Sequence, residues 1–136
     1  IAQTIIAAPG SSNYFKGGIV SYTNEVKENL LHVDHATLEE FTAVSEPVAK
    51  QMVIGACNAL NVDYAIACTG VAGPGGGTPQ NPVGTIWIAY GSKDDIRTIK
   101  LTEDEGRDMN ISTATCTALR AFLEYYKEKN PQPVEE

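Results

Sequence analysis

Residues 67–85 read ACTGVAGPGGGTPQNPVGT, and six of the twelve glycines and three of the seven prolines lie between Gly70 and Gly84. Glycine lets a backbone approach a ligand closely and adopt left-handed conformations. Successive N–H groups in such a turn make a concave anion site. Apolar runs at 64–68 and 86–90 flank the stretch, so it reads as a rigid turn held between two strands. The N–H groups from Gly70 through Gly73, Gly75, Gly76 and Gly77 can hold either a phosphate or an oxyanion. A P-loop would require Gly-Lys-Ser/Thr, but Gly77 is followed by Thr78-Pro79. A dinucleotide fingerprint requires a third glycine three residues after the second and a helix beyond, whereas this loop leads into a strand. The loop is either a long structural connection or a substrate site, and its length favours the site.

The remaining reactive side chains are sparse. Cys57, Cys68 and Cys116 are odd in number, have no CxxC spacing and sit in apolar contexts, which reads as buried, reduced thiols of a cytoplasmic protein. Cys68, beside the glycine loop, is the one alternative nucleophile. His32 and His35 have no companion cluster of ligands, so they read as solvent-facing or capping residues, and no metal or other cofactor is expected. Ser11 and Ser12, after Pro9-Gly10, read as turn or cap residues or as neighbours of a substrate phosphate.

The formal net charge of −7 over 136 residues argues against nucleic acid and against anionic membranes, but leaves a small anionic substrate open. No apolar run reaches the roughly 20 residues of a membrane span, and no signal peptide is visible. With 43% hydrophobic and 20% charged residues the chain reads as one globular domain over 1–129, followed by a flexible acidic tail at 130–136. Residue 1 is not methionine, and residues 1–6 look like the middle of a helix, so a preceding segment is expected.

The elements that must position the loop follow from periodicity. Residues 1–7 read as the end of a helix stopped by Pro9-Gly10, and 18–22 as a short strand. Thr23 or Asn24 caps a helix over 25–31, and a second short helix covers 37–41. Ser45 caps a stronger helix with Pro47 in its first turn; Val48, Met52, Val53, Ala56, Cys57 and Leu60 recur at helical spacing and Asn61 ends it. Strands are expected at 64–69, 85–90 and 96–101, the last two as a hairpin across 91–95. A long helix over 107–127 carries an apolar stripe of Ile111, Ala114, Ala118, Leu119, Phe122 and Tyr126. The order indicates an α/β fold with helices covering a mixed sheet.

Thr69-Gly70-Val71-Ala72-Gly73-Pro74, Gly76-Gly77-Thr78 and Pro82-Val83-Gly84-Thr85 resemble the signature of the C-terminal domain of the competence/damage-inducible CinA family, the nicotinamide mononucleotide amidohydrolases also called PncC. Pro9-Gly10-Ser11-Ser12, Phe15, Gly17-Gly18, Tyr22-Thr23-Asn24, Lys27, Leu30-Leu31, Ala43-Val44-Ser45 and Val48-Ala49 match further blocks in the same order. The resemblance implies a three-layer α/β/α sandwich around a mixed, mostly parallel sheet, and self-association as a homodimer. It implies hydrolysis of the carboxamide of nicotinamide mononucleotide to nicotinate mononucleotide and ammonia. Its nucleophile is a serine in a Ser-Cys-Thr-Gly-Gly block upstream of the segment that begins here, and that block is not in this sequence. The resemblance assigns catalytic roles to Tyr22 and Lys27 and a partner role to Arg107, read here as substrate binding; Ser11, Thr69, Gly70, Gly73, Gly75, Gly76, Gly77 and Thr78 are the further candidates for substrate binding. A second arginine of the family pattern is replaced by Ile111.

Amide hydrolysis needs an activated nucleophile, a proton donor for the leaving amine and a stabiliser for the oxyanion. Lys27 lies early in a helix, where the macrodipole disfavours its ammonium form; partial burial adds to this, and a neutral lysine can accept a serine proton. Tyr22 ends the preceding strand, so the two side chains are expected to share one cleft with the loop. The plain alternatives are a solvated surface lysine, a core or edge tyrosine, and an Arg107 paired with Asp104 or Glu103. At the level of function, an amidohydrolase stands against a non-catalytic nucleotide-binding or assembly module that keeps the pocket.

Overall fold

Thr23 closes the first well-formed helix: its Oγ1 accepts from the Val26 N–H at 3.3 Å, so α2 runs Asn24–Leu31 with Glu25 in its first turn. The computed structural model describes residues 1–131. α1 (Ala2–Ile6) and a 3-10 turn (Ser11–Asn13) precede α2. α3 (His35–Phe41), α4 (Glu46–Leu60), β1 (Ala65–Gly70), β2 (Ile86–Ser92), β3 (Asp95–Leu101) and α5 (Arg107–Lys129) follow it. Ser45 holds the N-cap position of α4, but its hydroxyl turns back to donate to the Thr42 carbonyl at 2.9 Å instead of capping. Asn61, left-handed at φ 52°, ends α4.

The sheet has the order β1-β2-β3 with both pairings antiparallel; Thr69 faces Trp87, Gly70 faces Ile86, and Ser92 faces Asp95 across a two-residue hairpin. Side chains alternate between its faces. Ala67, Ala89, Trp87 and Ile96 join the core formed with Leu31, Val33, Leu38, Val48, Met52 and Val53 of the α2–α4 region. Ile86, Ile88, Tyr90 and Ile99 pack with Ala114, Ala118 and Tyr125 of α5. Helices therefore cover both faces of the sheet. α4 meets α2 at Gly55, where a Cβ would sit 1.9 Å from the Leu31 carbonyl oxygen, so only glycine permits this approach.

Four expectations need correction. The mostly parallel sheet is not found: every strand pairing among the described residues is antiparallel. A parallel pair would have come from 18–22 and β1 with the helices as crossover, yet residues 18–22 form no strand among the described residues. Their alternation suits a strand, but a strand is a paired state, and Val20 and Tyr22 stand 86% and 81% exposed. The apolar stripe of α5 is rotated by about one residue. Its buried positions are Asn110, Ala114, Ala118 and Tyr125, with Ile111 and Tyr126 exposed. Cys116 is exposed, whereas Cys57 is buried and Cys68 half-buried. Of the tail expected at 130–136, residues 132–136 lie outside the described residues, and Asn130 caps α5 through its N–H to the Tyr126 carbonyl. No helix among the described residues is long and apolar enough to cross a membrane.

Candidate active site

The glycine-rich stretch joins β1 to β2 as a long hairpin connection. Its base continues the ladder, with Val71 N–H donating to Thr85 O at 2.9 Å and Gly84 N–H to Val71 O at 2.8 Å. Near its far end Thr78 closes a turn: its Oγ1 accepts from Asn81 N–H at 2.9 Å and its own N–H donates to Asn81 O at 3.0 Å. Gly73, at φ +82°, is wedged so closely against Val83 that a Cβ would lie 2.4 Å from its Cγ1. Gly75 has open space around it. Among the hydrogen bonds of the described residues none uses the N–H of Gly73, Gly75, Gly76 or Gly77. These donors are the material of an anion or oxyanion site.

Two clamps hold the loop. On one limb, the Arg107 guanidinium at the start of α5 donates to Gly73 O at 2.8 Å, and Asn110 Nδ2 donates to Ala72 O at 3.1 Å. On the other, Asn81 Nδ2 donates to Thr42 Oγ1 at 3.2 Å. The segment before α4 is tied to the same strand end, since the buried Thr69 hydroxyl donates to Ala43 O at 2.8 Å. Thr42 itself has φ 67° and ψ 168°, a backbone region that a β-branched residue occupies only under strain. Arg107 makes no ion pair with Asp104 or Glu103 among the described residues; the loop carbonyl is its partner. It remains exposed, with guanidinium N–H groups to spare.

Lys27 is the second focus. Its side chain is only 7% exposed, its Nζ donates to Ser21 O at 2.7 Å, and no carboxylate pairs with it among the described residues. Burial lowers its pKa from the ordinary lysine value of 10.5. Of the two causes expected, helix position and partial burial, burial is the one that lowers it here. Tyr22 adjoins the carbonyl that Lys27 grips, but its ring is 81% exposed and makes no hydrogen bond among the described residues.

The structure brings Thr69, the glycine loop and Arg107 into one assembly, and Lys27 beside Ser21-Tyr22 into another. No hydrogen bond or ion pair among the described residues joins the two. Ser11 is buried in its 3-10 turn, where its carbonyl accepts from Tyr14 and Phe15 N–H, and no hydrogen bond among the described residues links it to either assembly. Burial pushes the Cys68 thiol up to about 11, so it stays protonated near neutral pH and acts as a packing residue of the α5-side core. His32 caps α2 at φ 55°, and His35 Nδ1 lies 2.7 Å from Glu28. No group of three His, Cys, Asp or Glu among the described residues could hold a metal. Sequence reading missed Asn110 and Thr42. A signal existed for the first: an asparagine in register with Ala114 and Ala118 on a buried helix face must find partners.

The family described as the CinA C-terminal domain matches residues 1–126. A CinA-like protein of Leptospira borgpetersenii serovar Hardjo-bovis (strain L550) is 55% identical over 95 residues, 70% of this chain and 23% of its own length. The crystal structure of the competence/damage inducible protein CihA from Agrobacterium tumefaciens superposes with a TM-score of 0.84 at 35% identity, covering 90% of this chain and 76% of that one. That of the competence damage-inducible protein A (ComA) from Klebsiella pneumoniae gives 0.88 at 30% identity, covering 96% and 80%. This chain spans about a quarter of the length of the first curated relatives it matches.

Proposed function

We propose, from the premise that this chain belongs to the CinA C-terminal domain family, that it forms most of a nicotinamide-nucleotide amidohydrolase site. The observation that carries the reading is Lys27: a lysine almost fully withdrawn from water, held by one carbonyl, with no carboxylate to keep it charged. Such a lysine is suited to act as a base. In the proposed reaction Lys27 takes the proton of a serine hydroxyl supplied by the preceding segment, and the serine oxygen attacks the carboxamide carbon of nicotinamide mononucleotide. The free N–H groups of Gly73 and Gly75–Gly77 receive the oxyanion or the 5′-phosphate, and Arg107 adds positive charge. Collapse breaks the C–N bond, with the proton on Lys27 passing to the departing ammonia. Water then attacks the acyl-enzyme and gives nicotinate mononucleotide. Tyr22, exposed and next in sequence to Ser21, is in the same reading a catalytic group that meets substrate on binding. The three-layer α/β/α arrangement, a cytoplasmic location and a homodimer belong to this reading as well. The coverage of both sheet faces by helices supports the first of these.

One observation favours the alternative of a nucleotide-binding or assembly module. Lys27 meets a carbonyl and not a hydroxyl, and it has no hydrogen bond to the glycine loop. The deciding assay is ammonia release from nicotinamide mononucleotide by the full-length protein and its Lys27→Met variant. Methionine keeps the apolar stem and removes the amine. Loss of a general base lowers the rate about 10²–10⁴-fold. A variant that turns over near the wild-type rate would remove the amidohydrolase assignment of Lys27. An inactive wild-type protein that still binds the nucleotide would support the module.

A further inference from the structure

We propose that Asn110 is a positioning residue that sets the shape of the glycine loop; its catalytic consequence rests on the amidohydrolase reading, while its structural consequence does not. Asn110 is 3% exposed in the first turns of α5. Its Nδ2 donates to Ala72 O at 3.1 Å and to Asp104 Oδ1 at 3.0 Å, and its Oδ1 accepts from Glu105 N–H at 2.9 Å. Both amide hydrogens are committed. The partners also fix which way the amide points, because a flipped group would set its oxygen against a carbonyl and a carboxylate.

The placement ties three segments together: α5, the 103–106 turn and the loop limb that leads to the free N–H groups. Ala72 immediately precedes Gly73, whose carbonyl receives Arg107. The returning limb rests on the same turn, since Gly84 lies so close to Glu103 that a Cβ there would be 2.6 Å from its carbonyl oxygen. Ile86 and Leu101 line a small cavity with Asn110, beside Thr102, Glu103, Glu105 and Thr113. An apolar residue at this position could fill the space but could not supply the donor to Ala72. Binding donors must stand within about 0.5 Å of their working positions, so a loop released at Ala72 loses the alignment of Gly73 to Gly77.

The test compares three variants of the full-length protein by thermal midpoint, by hydrogen–deuterium exchange of the bonded amides that bracket the glycine loop, Val71, Thr78 and Gly84, and by kcat and KM for nicotinamide mononucleotide. Asn110→Asp keeps the acceptor for Glu105 but faces Ala72 and Asp104 with a carboxylate. It should lower the midpoint, speed loop exchange and reduce kcat about 10- to 100-fold. The exchanged pair Asp104→Asn with Asn110→Asp restores the bond between the two side chains but leaves Ala72 without a donor. Its midpoint should recover while loop exchange stays fast and kcat stays low. Asp104→Ala removes the acceptor of Asn110 Nδ2 and of Gly106 N–H but keeps the Ala72 donor, so it should lower the midpoint yet leave loop exchange and kcat near wild type. Recovery of slow exchange and kcat in the exchanged pair would overturn the proposal. So would a loss in Asp104→Ala as large as that in Asn110→Asp. If wild-type protein releases no ammonia, the amidohydrolase reading fails, and the exchange measurements still decide the role of Asn110.

Discussion

Helix propensity and tertiary contact make opposite predictions for Gly55→Ala. Gly55 lies inside α4, where alanine is favoured over glycine by about 1 kcal/mol. The structure reverses the sign. The new Cβ would stand 1.9 Å from Leu31 O, 2.7 Å from its carbonyl carbon and 2.8 Å from its Cα, all backbone atoms that no rotamer change can move. Reaching an ordinary contact of roughly 3.4 Å requires α2 and α4 to part by about 1.5 Å, and a gap of 0.5–1 Å already forfeits a quarter to a half of a dispersion well. Leu31 and Val33, each 3% exposed, lie at that junction, and Val48, Met52 and Val53 belong to the same core. Full burial of each such side chain is worth about 1.5–3 kcal/mol, so a partial loss over several of them amounts to roughly 2–4 kcal/mol. After the propensity gain, a net destabilisation of about 1–3 kcal/mol remains. For a chain of this size that lowers Tm by roughly 4–12 °C. Urea denaturation followed by circular dichroism measures it, with Ala59→Gly on the exposed side of α4 calibrating the propensity term at about 1 kcal/mol. A Gly55→Ala protein as stable as wild type would refute the argument and show that α2 is not fixed against α4. Because α2 carries Lys27, the same separation should also weaken the Lys27–Ser21 contact.

Further outcomes follow from the site. Burial lowers the pKa of Lys27 below 10.5, so between the lowered value and 10.5 the unfolded chain binds more protons at this position than the folded one. Stability of wild type relative to Lys27→Met should therefore rise with pH across that window and be level below it; a difference in urea midpoint that stays constant up to pH 10.5 contradicts the burial. Both Thr42→Gly and Thr42→Ala lose the Asn81 bond, but Thr42→Gly relieves a conformation costing about 1–3 kcal/mol, against about 0.5–1 kcal/mol of added glycine entropy, whereas Thr42→Ala keeps the strain. The glycine variant should melt above the alanine variant, and the reverse order would show that the backbone at 42 is unstrained. The proposed homodimer predicts a dimer mass in light scattering at high micromolar concentration, and a clean monomer mass there removes it.

What could be read in the sequence and what could not divide along a physical line. Local rules located α4 through Ser45, Pro47 and Asn61, placed all three described strands to within one or two residues, and marked the hairpin at 91–95, because each depends on a few adjacent residues. The glycine loop and Arg107 were legible as candidates, and the structure joins them through one hydrogen bond to Gly73. Pairing is not local. Residues 18–22 alternate as a strand would, yet whether they become one depends on a neighbouring edge that no window of sequence describes. The rotation of the α5 stripe has a similar origin. Ile111 is more apolar than Asn110, and Tyr126 is the same residue type as Tyr125, but the buried face selects Asn110 and Tyr125 because their polar atoms have partners waiting. Tyr125 donates its hydroxyl to Asp95 O at 3.0 Å, and Asn110 reaches Ala72 and Asp104. Polarity on a buried face is therefore where hydrophobic periodicity fails and where this chain builds its fixed points. Tyr125 locks the hairpin to one end of α5, Asn110 locks the glycine loop to the other, and the span of packed helix between them keeps the loop in register with the sheet that presents it.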